Sequence, residues 1–200
     1  MAYKPDPIHD PIDLFVLSQS GPEPVFDPVI RGFLDESYQI AKDRLAGSEL
    51  VELASLGQSV PWLYRLTFRT HGLGQYANGS IVPAERHTIA LRLMPDYLRH
   101  VNRFATLHYV EPRDPAPFHP NIDPLRGAIC LEVYPGEPVI EVVQSLHDLL
   151  RWRIRELREN HALNPAACVY GRQHVTGVLD ERSLLGRKWE LEIVPEEQKQ

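Results

Sequence analysis

The chain of 200 residues has only two cysteines, Cys130 and Cys168, and no CxxC pair. That scarcity excludes a disulfide framework and a cysteine-built structural zinc site, and it suits a reducing compartment. Long apolar runs are also lacking: nothing approaches the roughly 20 residues that cross a bilayer, and the opening residues, with Tyr3, Lys4 and Pro5, lack the apolar core of a signal peptide. A soluble, cytoplasmic protein with no membrane partner is expected. Positive charge is in deficit, with 21 lysines and arginines against 27 aspartates and glutamates, a formal net charge of -6. Phosphate recognition needs a concentrated basic surface, so a nucleic-acid binder is disfavoured and protein partners are expected.

What is present suffices for one globular core, with 43% of residues hydrophobic. Six prolines (Pro5, Pro7, Pro11, Pro22, Pro24, Pro28) crowd the first 28 residues. Each fixes φ and withholds a backbone donor, so residues 1–26 read as a proline-rich arm. Its apolar segment, Leu14-Phe15-Val16-Leu17, is suited to dock on the domain itself or on a partner.

Asp27-Pro28 supplies an N-cap and a first-turn proline, and Gly47 suits a left-handed C-terminal cap. Between them Ile30, Leu34, Tyr38, Ala41 and Leu45 recur at spacings of three and four, which predicts an amphipathic helix. The period then shortens. Leu50 to Leu53, Leu63 to Phe68, Thr88 to Leu93 and Phe104 to Val110 read as four strands of a β-meander, and the proline-dense Glu111 to Pro120 as an irregular loop. Glu137-Pro138 opens a helical pattern carrying Val139, Val143, Leu146, Leu150, Ile154 and Leu157, and Asn164-Pro165 opens a short helix through Tyr170. Segregated strands and helices predict an α+β fold with an antiparallel sheet.

The irregular loop holds Phe118-His119-Pro120-Asn121-Ile122, followed by Gly127-Ala128-Ile129-Cys130-Leu131. This segment resembles the active site of ubiquitin-conjugating enzymes, in which a His-Pro-Asn tripeptide precedes an apolar-Cys-apolar catalytic segment across a short glycine-bearing loop. The element order matches over roughly Asp27 to His174, and Met94-Pro95-Asp96-Tyr97 is similar to a turn that family places after its third strand. The resemblance implies a four-stranded antiparallel meander packed by an N-terminal helix and C-terminal helices. It also implies a catalytic domain at 27–174 with a C-terminal extension at 175–200. Its activity would be to accept a ubiquitin-like modifier from an activating enzyme as a thioester on Cys130 and pass it to an amine on a target protein. The partners implied are the modifier, the adenylating enzyme and the protein substrate; no cofactor or metal is implied.

The chemistry suits the residues. A thiolate is both nucleophile and leaving group, whereas a serine would strand the cargo as a stable ester. Asn121 has two open roles: donating its amide N–H to the charge that builds on the thioester carbonyl, or bracing a loop whose backbone groups lack partners. His119 reads first as a loop brace held extended by Pro120, with general-base duty as the alternative. The family assists the incoming amine from the turn before its third helix. Here that turn is Glu159-Asn160-His161-Ala162, and Glu159, Asn160 and His161 are the candidates. Cys168, among Ala166, Ala167 and Val169, reads as packing. His100, His108 and His119 match no compact metal-ligand spacing.

The chain also departs from the family. The loop between Asn121 and Cys130 is about one residue longer, which costs little entropy. Glu132 to Gly136 leads into the helix without the family's tryptophan-bearing turn, and Leu98 to Val101 replaces a double proline on the surface where eukaryotic members dock ligases. Trp189 to Val194 alternates and suits an edge strand or a partner contact. Such divergence around an intact motif resembles the conjugating enzymes encoded in bacterial ubiquitin-like operons, several linked to antiphage defence. Two rivals remain: a non-catalytic modifier-binding module of the same fold, and a cysteine hydrolase using His119 or His161 as base.

Overall fold

A computed structural model of the protein describes residues 23–184. The apolar segment of the arm and the alternating Trp189 to Val194 stretch lie outside the described residues.

Helix α1 (Pro28–Arg44) starts where Asp27 caps it, the Asp27 carboxylate accepting the backbone N–H groups of Val29 at 2.8 Å and Ile30 at 3.1 Å. Lys42 and Arg44 in its last turn complement the helix dipole. Ile30, Leu34 and Ala41 bury one stripe against the sheet. Full burial of each larger side chain is worth about 1.5–3 kcal/mol.

Strands β1 (Val51–Ser55), β2 (Leu63–Phe68), β5 (His87–Arg92) and β6 (Leu107–Glu111) form an antiparallel sheet in the order β1-β2-β5-β6. Its register pairs Val51 with Phe68, Leu66 with Ile89 and Ala90 with His108. Alternation in β2 turns Tyr64, Leu66 and Phe68 into the core, which Leu91 and Tyr109 complete from the neighbouring strands. Helix α3 (Val139–Leu150) contributes Val142, Val143, Leu146 and Leu149 to the same core. Its first backbone N–H, on Val139, is capped by Ser37 of α1 at 2.7 Å. The fold is α+β with a mostly antiparallel sheet, as the segregated sequence pattern predicts.

A second sheet has no counterpart in the sequence reading. Strands β3 (Gly72–Gln75), β4 (Ile81–Ala84) and β7 (Ala116–Pro117) pair antiparallel in the order β4-β3-β7. They are short and contain glycine and proline, so local propensity argues against strands and only tertiary pairing makes them. The fourth meander strand also starts later than predicted, because Asn102 caps a single helical turn, α2 (Arg103–Thr106), through a hydrogen bond to the Phe104 N–H at 3.2 Å.

The long C-terminal helix predicted to reach Leu157 ends at Leu150. Trp152 adopts φ +69°, the left-handed region, and its ring is fully buried in a second core with Phe118, Ala167 and Val175. Arg151 is buried too. Its Nε and Nη2 bind Asp148 Oδ1 at 3.0 and 2.9 Å, and its Nη1 donates to the carbonyls of Asp180 and Arg182 at 3.0 and 3.1 Å. Arg153 and Arg158, further along this irregular segment, are exposed. Helix α4 (Pro165–His174) is capped by Asn164, whose Oδ1 accepts the Ala167 N–H at 3.1 Å, and it runs one turn beyond the predicted Tyr170. Gly171 of α4 meets the Trp152 ring: a Cβ there would lie 2.4 Å from Cζ3. No described helix is long and apolar enough to cross a membrane.

Candidate active site

The site is a loop clasped at its base. Asn121 and Cys130 bond each other twice, the Cys130 N–H donating to the Asn121 carbonyl at 2.8 Å and the Asn121 Nδ2 donating to the Cys130 carbonyl at 2.9 Å. Inside the clasp Ile122 and Ile129 form a single antiparallel bridge. The tip is a tight turn in which Asp123 Oδ1 accepts the N–H groups of Leu125 at 2.9 Å and Arg126 at 3.0 Å. Leu125 at that tip is 90% exposed.

Gly127 lets this loop lie against β6. It has φ +77°, and its carbonyl accepts the Tyr109 N–H at 2.7 Å. A Cβ at this position would stand 2.3 Å from the Tyr109 carbonyl oxygen, so both the conformation and the approach require glycine.

Ile129 and Leu131 are buried while Cys130 between them is half-buried. Cys168 is 1% exposed on α4; burial pushes its thiol pKa up, and its Sγ donates to the Glu156 carbonyl at 3.4 Å. The two cysteines thus differ in environment, Cys130 half-buried and Cys168 sealed.

Asn121 reaches beyond the clasp. Its Oδ1 accepts the backbone N–H of Glu156 at 2.8 Å, so one amide bridges the Cys130 segment and the segment that follows α3. The adjoining backbone agrees, with the Asn164 N–H donating to the Pro120 carbonyl at 3.2 Å. Of the two roles open to Asn121, the brace is the one these contacts make; a second Nδ2 hydrogen is left over by chemistry.

His119 lies beneath the loop at 3% exposure. Its Nδ1 accepts the Asn121 N–H at 3.1 Å, which places the proton of the neutral ring on Nε2. Trp152 packs against it edge-on with ring centroids 5.0 Å apart. Burial holds its pKa down to about 3, so the ring is a weak base enclosed away from solvent, suited to bracing rather than proton abstraction. Its neighbour His87 is also buried, pushed down to about 4 by desolvation, with Nδ1 on the Tyr109 hydroxyl at 2.9 Å.

The turn before α4 sorts the remaining candidates. Glu159 forms an ion pair with Arg172. Asn160 and His161 are exposed, and the His161 N–H donates to the Arg158 carbonyl at 3.1 Å. The residue drawn to Asn121 is Glu156, which the sequence reading did not single out. Glu156 is 35 positions from Asn121, and no local pattern announces such a contact. Among the described residues, no three His, Cys, Asp or Glu side chains converge as a set that could hold a metal.

Comparison of the chain with protein-family models finds no match, and comparison with curated proteins finds none either.

Proposed function

We propose that the protein is a ubiquitin-like-modifier conjugating enzyme, with Cys130 as the thioester-carrying residue. The observation that carries this reading is the pairing of the half-buried Cys130 with Asn121 across a doubly bonded clasp, in a chain whose elements run helix, meander, His-Pro-Asn loop and helices. Cys130 accepts the C-terminal acyl group of the modifier from an activating enzyme, and an acceptor amine then displaces the sulfur. Asn121 sets the sulfur's position and holds one amide hydrogen in reserve for the developing oxyanion. His119 and Trp152 hold Asn121 from below. The finer identification, a divergent member of the kind found in bacterial antiphage operons, rests on the sequence motif and its unusual flanks.

The test uses a short peptide ending in Gly-Gly, activated as a mercaptoethanesulfonate thioester, in place of the modifier's C-terminus. The expected product is a thiol-sensitive adduct on Cys130 that Cys130→Ala abolishes and Cys168→Ala spares. Aminolysis of that adduct should exceed aminolysis of the same peptide on N-acetylcysteine by roughly tenfold or more, as expected for an oriented site. Aminolysis no faster than the reference overturns catalysis in favour of a modifier-binding module, and rapid release of free peptide acid favours a cysteine hydrolase.

A further inference from the structure

We propose that the residues after α4 form a strap that fixes the segment between α3 and α4 against the Asn121–Cys130 clasp. Asp180 is its anchor, and so a positioning residue for the reaction at Cys130. The bearing on the reaction rests on the conjugating-enzyme reading, while the strap itself rests on geometry alone.

Residues 151–156 belong to no helix or strand, so bonds from outside the segment must hold it. It meets the site at two points: the Trp152 ring packs on His119, and the Glu156 N–H reaches Asn121 Oδ1. The strap binds the same short stretch. The Leu179 N–H donates to the Arg151 carbonyl at 2.9 Å, and the Arg151 guanidinium returns to the carbonyls of Asp180 and Arg182. Arg155 Nη1 donates to the Gly177 carbonyl at 2.9 Å. Val175 and Leu179 pack in the second core with Trp152, and Leu184 enters the main one.

Asp180 ties the strap to the sheet. It is 5% exposed, and its Oδ2 accepts the Thr70 hydroxyl and the His71 N–H, both at 3.0 Å, in the connection between β2 and β3. Its Oδ1 accepts the Arg182 N–H at 3.0 Å and Nε at 2.9 Å. Arg182 Nη2 donates to Asp180 Oδ2 at 2.6 Å and to the Arg69 carbonyl at 3.1 Å. The Arg182 side chain holds the Asp180 carboxyl well below the usual carboxylate range. Both carboxylate oxygens face donors, so an amide in their place would turn an N–H toward an N–H or O–H.

The full chain carrying Asp180→Asn is compared with wild type by hydrogen exchange, with the β2 amides as internal reference. The expected result is exchange of the Asn121, Cys130 and Glu156 amides accelerated roughly tenfold beyond any change in β2, the size of one lost buried hydrogen bond. The Cys130 thioester of the Gly-Gly peptide should form at the wild-type rate and discharge onto N-acetyl-lysine roughly threefold or more slowly, because a displaced Asn121 affects the attack and not the thiol. Arg155→Met removes the Gly177 bond from a part-exposed side chain and should act in the same direction to a lesser degree, so the test holds even where Asp180→Asn fails to fold. Equal acceleration in the site and in β2 marks general stability and overturns the strap, as do site amides exchanging at wild-type rates. Faster site exchange with unchanged discharge overturns the positioning role. Failure of wild-type Cys130 to charge removes the conjugating reading and leaves the exchange comparison to decide the strap.

Discussion

The side-chain amide of Asn121 accepts the backbone N–H of Glu156 at 2.8 Å, across 35 positions of sequence. The same amide donates to the Cys130 carbonyl at 2.9 Å. Asn121→Ala therefore leaves a donor and an acceptor of two chain segments without partners. Loss of about 1–3 kcal/mol of stability is expected, the range for stranding partly buried polar groups. Asn121→Asp keeps an acceptor for Glu156 but has no hydrogen for Cys130, and its loss should fall between wild type and alanine. Urea unfolding of the three proteins checks the order.

How much of this was legible beforehand follows from where each signal resides. Helix α1 was legible in its limits because Asp27, Pro28 and the apolar stripe act within one helix. The four meander strands were legible from their β-branched and aromatic runs. Strands β3, β4 and β7 were not, since Gly72, Gly74 and Pro83 oppose strand structure locally and gain it through pairing. The end of α3 was hidden for the opposite reason. Ile154 and Leu157 continue its apolar period, while the second core draws Trp152 out of the helix. Within the site, Asn121 and Cys130 were visible as a motif, but Glu156 was not, because its part is played by a backbone N–H that every residue except proline carries.

Gly127→Ala tests the fit of the loop to β6. The residue must hold φ +77° with its Cβ 2.3 Å from the Tyr109 carbonyl oxygen, so the loop or the strand must shift. Left-handed backbone alone costs on the order of 1–3 kcal/mol for a side chain at such a position, and the collision adds to it. The expected outcome is a lower denaturation midpoint, together with faster hydrogen exchange at the Tyr109 amide, which donates to Gly127.

Acid should destabilise the protein well above the carboxylate range. His119 is held at about 3, and His87 and the part-buried His108 at about 4, each chiefly by burial, against an ordinary 6.5. Their folded pKa values are depressed, so between pH 6.5 and 4 the unfolded chain binds protons that the folded chain does not. Stability is therefore fully present above pH 6.5 and is lost as pH falls toward 4. The slope should approach about 1.4 kcal/mol per pH unit for each of His119 and His87, and less for His108, which solvent partly screens. Denaturation midpoints measured from pH 7.5 to 4.5 check it; a flat profile would contradict the enclosure of these rings.

Both main-chain polar groups of Cys130 return to a single residue nine positions earlier, so the sulfur is located by its own neck of chain and not by membership in a sheet. Residues between the two ends hang from that neck like a tag from a collar. Ile122 and Ile129 at its base are buried in the core and Gly127 rests on β6, so only the exposed tip at Leu125 and Arg126 is open to change without shifting the reactive atom. The tip that carries Leu125 is consequently the part of this surface most free to be rewritten for a different partner.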